Sequence, residues 1–132
     1  TEEEIMQRLE NACRNPYVSL IAHPTGRIIG RREGYAVNVD RLIELAAETG
    51  TALEMNANPA RFDLTASSLA RAKAAGVKIL INTDTHRPEM LEDMKLGVLH
   101  ARKAYLEASD VINTWSAEEA LAFFGRKRLG VD

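Results

Sequence analysis

Three segments of this chain combine residue types that could do chemistry. In Ile81-Asn82-Thr83-Asp84-Thr85-His86, a carboxylate and an imidazole lie two apart, directly after an apolar run. At the end of an extended strand, residues i and i+2 point the same way, so Asp84 and His86 could share one cation. Imidazole suits zinc and other transition metals, and carboxylate oxygen suits manganese and magnesium as well. The competing reading is a turn, because Asn, Thr and Asp ahead of Pro88 are ordinary loop and helix-start residues. His23, in His23-Pro24-Thr25-Gly26-Arg27, follows a second apolar run in the same manner. It reads as a further ligand, or as a histidine hydrogen-bonded near a strand end. Arg27, Arg31 and Arg32 follow among Gly26 and Gly30. Their guanidinium forks suit phosphate oxygens, with solvated loop charge as the alternative.

The third segment is Glu54-Met55-Asn56-Ala57-Asn58-Pro59. A carboxylate in an apolar strand needs a partner or a metal. The favoured role for Glu54 is to orient a ligand histidine from behind; a structural salt bridge is the other. Asn56 and Asn58 would hydrogen-bond a substrate or hold the loop. His100, flanked by Leu99 and Ala101, reads as structural, and Trp115 as core. Arg126-Lys127-Arg128 reads as the basic end of a helix, with a weaker case for nucleic-acid contact.

The surrounding pattern shows what must position these residues. Residues 1–14 carry a Thr, three acids and then apolar residues at helical spacing, which predicts a capped helix. Residues 17–22 form a short apolar run, consistent with a buried strand, and residues 25–37 a Gly- and Arg-rich loop. Helices are predicted over 38–50, 65–75, 88–106 and 116–125, and strands over 51–55, 77–81 and 111–114. Alternation of this kind argues for an α/β fold with a parallel sheet of about four βα units. Gly50 and Gly76 sit where helix C-caps belong. His23, Asn56, Asn58, Asp84 and His86 all fall in strand-to-helix loops. They collect at the C-terminal ends of the strands, where such folds place their sites.

Composition sets the outer bounds. The chain has 132 residues, 45% hydrophobic and 27% charged, with a net charge of −2. That fits one domain over residues 1–132 and speaks against a dedicated basic nucleic-acid module. Cys13 is the single cysteine, so a disulfide framework and a thiolate metal site are excluded and Cys13 is expected to be buried. No apolar run approaches the roughly 20 residues of a membrane helix. The expected setting is cytoplasmic. There is no P-loop, no dinucleotide fingerprint and no nucleophile elbow.

His-Pro-Thr-Gly-Arg, Glu-Met-Asn-Ala-Asn-Pro and Asn-Thr-Asp-Thr-His, in this order and each at a strand end or in a strand, resemble the later part of the PHP (polymerase and histidinol phosphatase) domain. The second Gly-Arg, at Gly30-Arg31, points to the version fused to bacterial family X DNA polymerases. The resemblance implies part of a distorted (β/α)7 barrel holding divalent metals, zinc or manganese and possibly magnesium. It puts His23, Asp84 and His86 on metal-ligand positions and implies metal-dependent phosphoester hydrolysis, as a 3′-5′ exonuclease acting on DNA in repair. A PHP phosphatase for a small phosphoester such as histidinol phosphate is the alternative within the enzyme class. The family's early histidine ligands have no counterpart here. The chain is therefore expected to represent the last part of the barrel with its first half missing, and its metal site to be incomplete. Such a piece would hydrolyse poorly or not at all on its own. A non-catalytic module that self-associates, as a homodimer through exposed sheet edges, is the reading from a different class.

Overall fold

The computed structural model describes residues 1–130. The first helix, α1, spans Glu2–Arg14 and is capped by Thr1, whose Oγ1 accepts the Glu4 N–H at 3.2 Å. Strand β1 (Leu20–Ile21) and a long loop lead to α2 (Val39–Thr49), where Asn38 Oδ1 accepts the Arg41 N–H at 3.0 Å. Gly50 closes α2 in the left-handed conformation. Strand β2 (Ala52–Asn56) is followed by α3 (Ala66–Ala74), capped by Thr65. Strand β3 (Ile79–Asn82) leads through a 3₁₀ stretch, Pro88–Asp93, into α4 (Met94–Lys103). Two short 3₁₀ turns precede α5 (Ala117–Leu129), which Ser116 caps.

The sheet is parallel, in the order β1-β2-β3, with Leu20 opposite Ala52 and Leu53 opposite Ile79. Its two faces follow from the two-residue period of a strand. Leu53, Met55, Ile79 and Ile81 enter the main core with Leu42, Leu45 and Leu69. On the other face Ala52 packs with Ile112 and Phe123 in a smaller core, joined by Leu20 and Leu80. Two residues on from Ala52 and Leu80, the same face turns polar, with Glu54, Asn56 and Asn82. One face therefore grades from apolar to polar toward the C-terminal ends of the strands.

Three sequence expectations change. The strand at 111–114 does not form. Val111 makes one parallel bridge to Ile79, and Ile112–Thr114 is a 3₁₀ turn. The physical reason is Asn113: its Oδ1 accepts the Ile81 N–H at 2.8 Å and its Nδ2 donates to Ile81 O at 2.9 Å. One side-chain amide meets both edge groups that a fourth strand would have met. The long helix at 88–106 is split into a 3₁₀ stretch and α4, and strand pairing within 17–22 is confined to two residues.

The basic end of α5 is also more than solvated charge. Lys127 Nζ donates to Cys13 O and Val18 O, each at 2.7 Å, and to Thr51 Oγ1 at 2.6 Å. This ammonium ties α5 to the end of α1 and the start of the sheet, and burial pushes its pKa down. Cys13 is buried, and the same cause pushes its thiol pKa up. Trp115 packs edge-on against Phe123 at 5.8 Å. No helix among the described residues is long and apolar enough to cross a membrane.

Gly97 explains how closely α4 approaches the strand ends. A Cβ there would lie 2.7 Å from both Ala57 Cβ and Ile81 Cγ2. Helix propensity alone would make Gly97→Ala stabilising by roughly 1 kcal/mol. The overlap reverses the sign, because Ala57 has no rotamer with which to yield. The variant is expected to be less stable by about 1–2 kcal/mol in urea denaturation; a gain in stability would show that α4 is not seated against β2 and β3.

Candidate functional site

The polar end of the sheet face is built around His23, which follows β1 with φ 46°. Its backbone N–H donates to Glu54 Oε2 at 2.6 Å, and Glu54 Oε1 accepts Asn82 Nδ2 at 3.0 Å. Glu54 is 4% exposed, so a buried carboxylate fixes the start of the β1–α2 loop from the neighbouring strand. Asn56 fixes the imidazole. Its Oδ1 accepts the Asn58 N–H at 3.0 Å, which leaves Nδ2 to donate to His23 Nδ1 at 3.3 Å. The ring proton is then on Nε2, which faces Asp84 Oδ2 at 3.7 Å. Asp84 itself stands after β3 with φ 54°. Two non-glycine residues thus hold the left-handed conformation after β1 and β3, the strands on either side of β2, a local cost characteristic of functional sites.

The loop after His23 hangs from a second carboxylate. Asp63, fully buried, accepts the Thr25 N–H at 3.1 Å, Thr25 Oγ1 at 2.9 Å and the Gly26 N–H at 2.9 Å. Gly26 adopts φ 66°, and a Cβ on it would run into the Tyr35 ring. Asp63 also bridges back to Asn56 through the backbone, closing the loop at 57–62. Arg27 is part of this frame: its Nε donates to Arg61 O at 2.7 Å and its Nη2 to Phe62 O at 2.5 Å. Arg32 donates to Gly26 O at 2.8 Å, and Arg31 is exposed. Asn58 holds the loop by accepting the Ala60 N–H at 2.9 Å.

The structure therefore brings His23, Asp84, Glu54 and Asn56 together and leaves His86 on the solvent side of Asp84, its Nδ1 4.0 Å from Asp84 Oδ1. The His86 side chain is 74% exposed, and its Nδ1 donates to Asp84 O at 2.6 Å, leaving Nε2 free toward solvent. Among the described residues, no group of three or more His, Cys, Asp or Glu side chains is gathered closely enough to hold a metal ion. His100 stacks on Phe62 at 5.0 Å, and its Nε2 donates to Leu64 O at 3.0 Å; burial is the main cause of its lowered pKa.

Two residues escape the sequence reading. Asp63 looks there like an ordinary loop acid before a helix cap. Arg61 looks like loop charge, yet its Nε lies 4.0 Å from Asp84 Oδ2. The only hint in the sequence is that both lie in the loop opened by Asn56 and Asn58. A depression lined by Cys13, Arg14, Glu48, Arg126 and Lys127 lies at the opposite end of the strands. Its lysine is saturated by the carbonyls and hydroxyl described above, so the strand-end group around His23 remains the candidate.

No family model matches the chain. Curated relatives do. The chain is 54% identical over 125 residues, 95% of its length, to a DNA polymerase/3′-5′ exonuclease PolX of Bacillus subtilis (strain 168). It is also 30% identical over 90 residues, 64% of its length, to the probable phosphatase TTE1963 of Caldanaerobacter subterraneus subsp. tengcongensis. The chain belongs to the PHP family. It spans 22% of the Bacillus relative and 33% of the other. In this PHP segment, the parallel strands and the residues at their C-terminal ends match the α/β architecture expected from the sequence, with one strand fewer.

The frame has a direct test. Asp63→Asn replaces one acceptor oxygen by an amide NH₂ that faces N–H and O–H donors. A loss of about 2–3 kcal/mol in unfolding free energy is expected, because bonds to a charged acceptor are lost and a buried donor is left unmatched. A change under about 0.5 kcal/mol, the level of ordinary surface substitutions, would mean that Asp63 does not carry the loop.

Proposed function

We propose that this chain is the part of a PHP-type phosphoesterase that contributes one metal corner, His23 and Asp84 with His86, and that the longer protein is a DNA polymerase with 3′-5′ exonuclease activity. The observation that carries the reading is His23 Nε2 at 3.7 Å from Asp84 Oδ2, the two residues meeting across the end of β2 from β1 and β3. Two donors of a tetrahedral zinc at about 2.0–2.1 Å lie roughly 3.3 Å apart. The pair therefore fits one cation with a small adjustment. His86 fits only after its ring turns inward, and its Nε2 is already the free nitrogen. Two of the three donors match, so the corner is expected to bind a metal weakly and to be completed by residues outside this chain.

The chain's own groups have definite parts to play. For His23 Nε2 to act as a donor, its proton must move to Nδ1. Glu54 Oε2, 3.9 Å from Nδ1, is the acceptor that can then hold that proton. Asn56, which now donates to Nδ1, must turn aside for this to happen. A carboxylate behind a ligand imidazole raises its basicity and fixes its orientation. A bound divalent ion would supply hydroxide near neutral pH and offset charge on phosphoryl oxygens. The substrate is proposed to be a DNA 3′ end, because the polymerase/exonuclease relative matches 95% of the chain and the phosphatase 64%. A small phosphoester is the second reading, favoured by the phosphatase match.

Titration of zinc and of manganese into the chain by calorimetry tests this. One weak site is expected, with affinity at least about tenfold lower in His23→Ala and in Asp84→Asn. Hydrolysis of single-stranded DNA by the chain alone is expected to be slight. No binding of either metal, or equal binding by all three proteins, overturns the reading.

A further inference from the structure

We infer that Arg61, not Arg27, is the residue of this segment that binds a substrate phosphate, and that Arg27 serves to position it. The inference rests on the phosphoesterase reading above and names a recognition element within it. The carboxylate oxygen Asp84 Oδ2 is a shared vertex: His23 Nε2 approaches it at 3.7 Å and Arg61 Nε at 4.0 Å. A guanidinium therefore stands beside the proposed metal corner, facing the same Asp84 oxygen as the histidine. Its fork is barely used by the protein. Nη1 makes one long contact, 3.4 Å, to Arg27 O, and Nε stops outside hydrogen-bond distance of Asp84. The side chain is 23% exposed, so it is held in place yet reachable from solvent.

Arg27 is the opposite case. It is spent on Arg61 O and Phe62 O, the two carbonyls next to one another in the loop that carries Arg61. Asn58 O accepts the Arg61 and Phe62 N–H groups from the other side, at 2.8 and 3.0 Å. Phe62, in the left-handed conformation at φ 39° and stacked on His100, closes the turn behind. The backbone of Arg61 is thus gripped on both sides, which fixes the point from which its side chain reaches Arg27 O and Asp84. A planar fork set beside the corner with donors to spare suits a bidentate contact to phosphate. The ligand class is a phosphomonoester or phosphodiester group whose oxygens also face the metal. If a cation takes up Asp84, the guanidinium loses its nearby carboxylate and is left with an anion site.

The test is titration of thymidine 5′-monophosphate into the manganese-loaded chain, with metal affinity measured in parallel. Arg61→Ala is expected to weaken nucleotide binding about tenfold or more, with manganese affinity within about threefold of the parent chain. Arg61→Lys, which keeps the charge but not the fork, is expected to fall between. A role confined to neutralising Asp84 would give the reverse pattern: tighter manganese binding in Arg61→Ala and unchanged nucleotide affinity. That pattern overturns the inference and leaves the metal corner standing. So does a manganese-loaded parent chain that binds no nucleotide. Absence of manganese binding overturns the metal corner and this inference together. Circular dichroism of both variants accompanies the titrations; a fold lost in Arg61→Ala and kept in Arg61→Lys transfers the test to the lysine variant.

Discussion

The rest of this structure depends on two buried carboxylates that hold the backbone of a neighbouring loop. Glu54, in the middle strand, takes the His23 N–H, and Asp63, just beyond that strand, takes the N–H groups of Thr25 and Gly26. Burying a carboxylate is costly unless donors meet it. Here the donors are the amides that the left-handed turn at His23 exposes. The hydrogen bonds between them thus offset both the cost of burial and the cost of the turn. Break either carboxylate and the loop loses the contacts that place His23 within reach of Asp84.

This coupling explains why the site lies where it does. The sheet face on which Ala52 and Leu80 pack against α5 becomes polar two residues later, at Glu54 and Asn82. Both are needed: Asn82 donates to the carboxylate that holds His23. Helix α4 is drawn tight against the same strand ends through Gly97, and His100 on that helix pins Leu64 and Phe62. Packing on one face of the sheet therefore sets the backbone of the loop that carries Arg61 at its C-terminal end.

Much of this was legible in the sequence, for identifiable reasons. Thr1, Asn38, Thr65 and Ser116 announce helix starts because each side chain accepts from an N–H three residues on. Apolar runs ahead of His23 and Asp84 announce parallel strands, and the strand-to-helix loops gather the polar residues at one end. What was not legible are roles created by tertiary contact. Asn113 replaces a strand with one amide, so the pattern at 111–114 reads as β when the ladder is absent. Arg27 has the sequence setting of a phosphate ligand but is consumed by carbonyls 34 and 35 residues away. Lys127, apparently surface charge, is the knot between α1, α5 and the sheet. His86 keeps the spacing of a ligand pair while its ring faces solvent, since strand geometry ends before Asp84 and no longer directs the side chain.

The central claim is that His23 and Asp84 form a metal corner that His86 can join, while His100 is held by structural contacts. With only three histidines, ring ¹⁵N resonances followed during zinc titration decide it most directly. His23 and His86 are expected to shift together at their Nε2 nitrogens with His100 unmoved, because its Nε2–H is held by Leu64 O and its ring by Phe62. A titration in which His86 alone responds, as a solvent-exposed imidazole would, contradicts the claim.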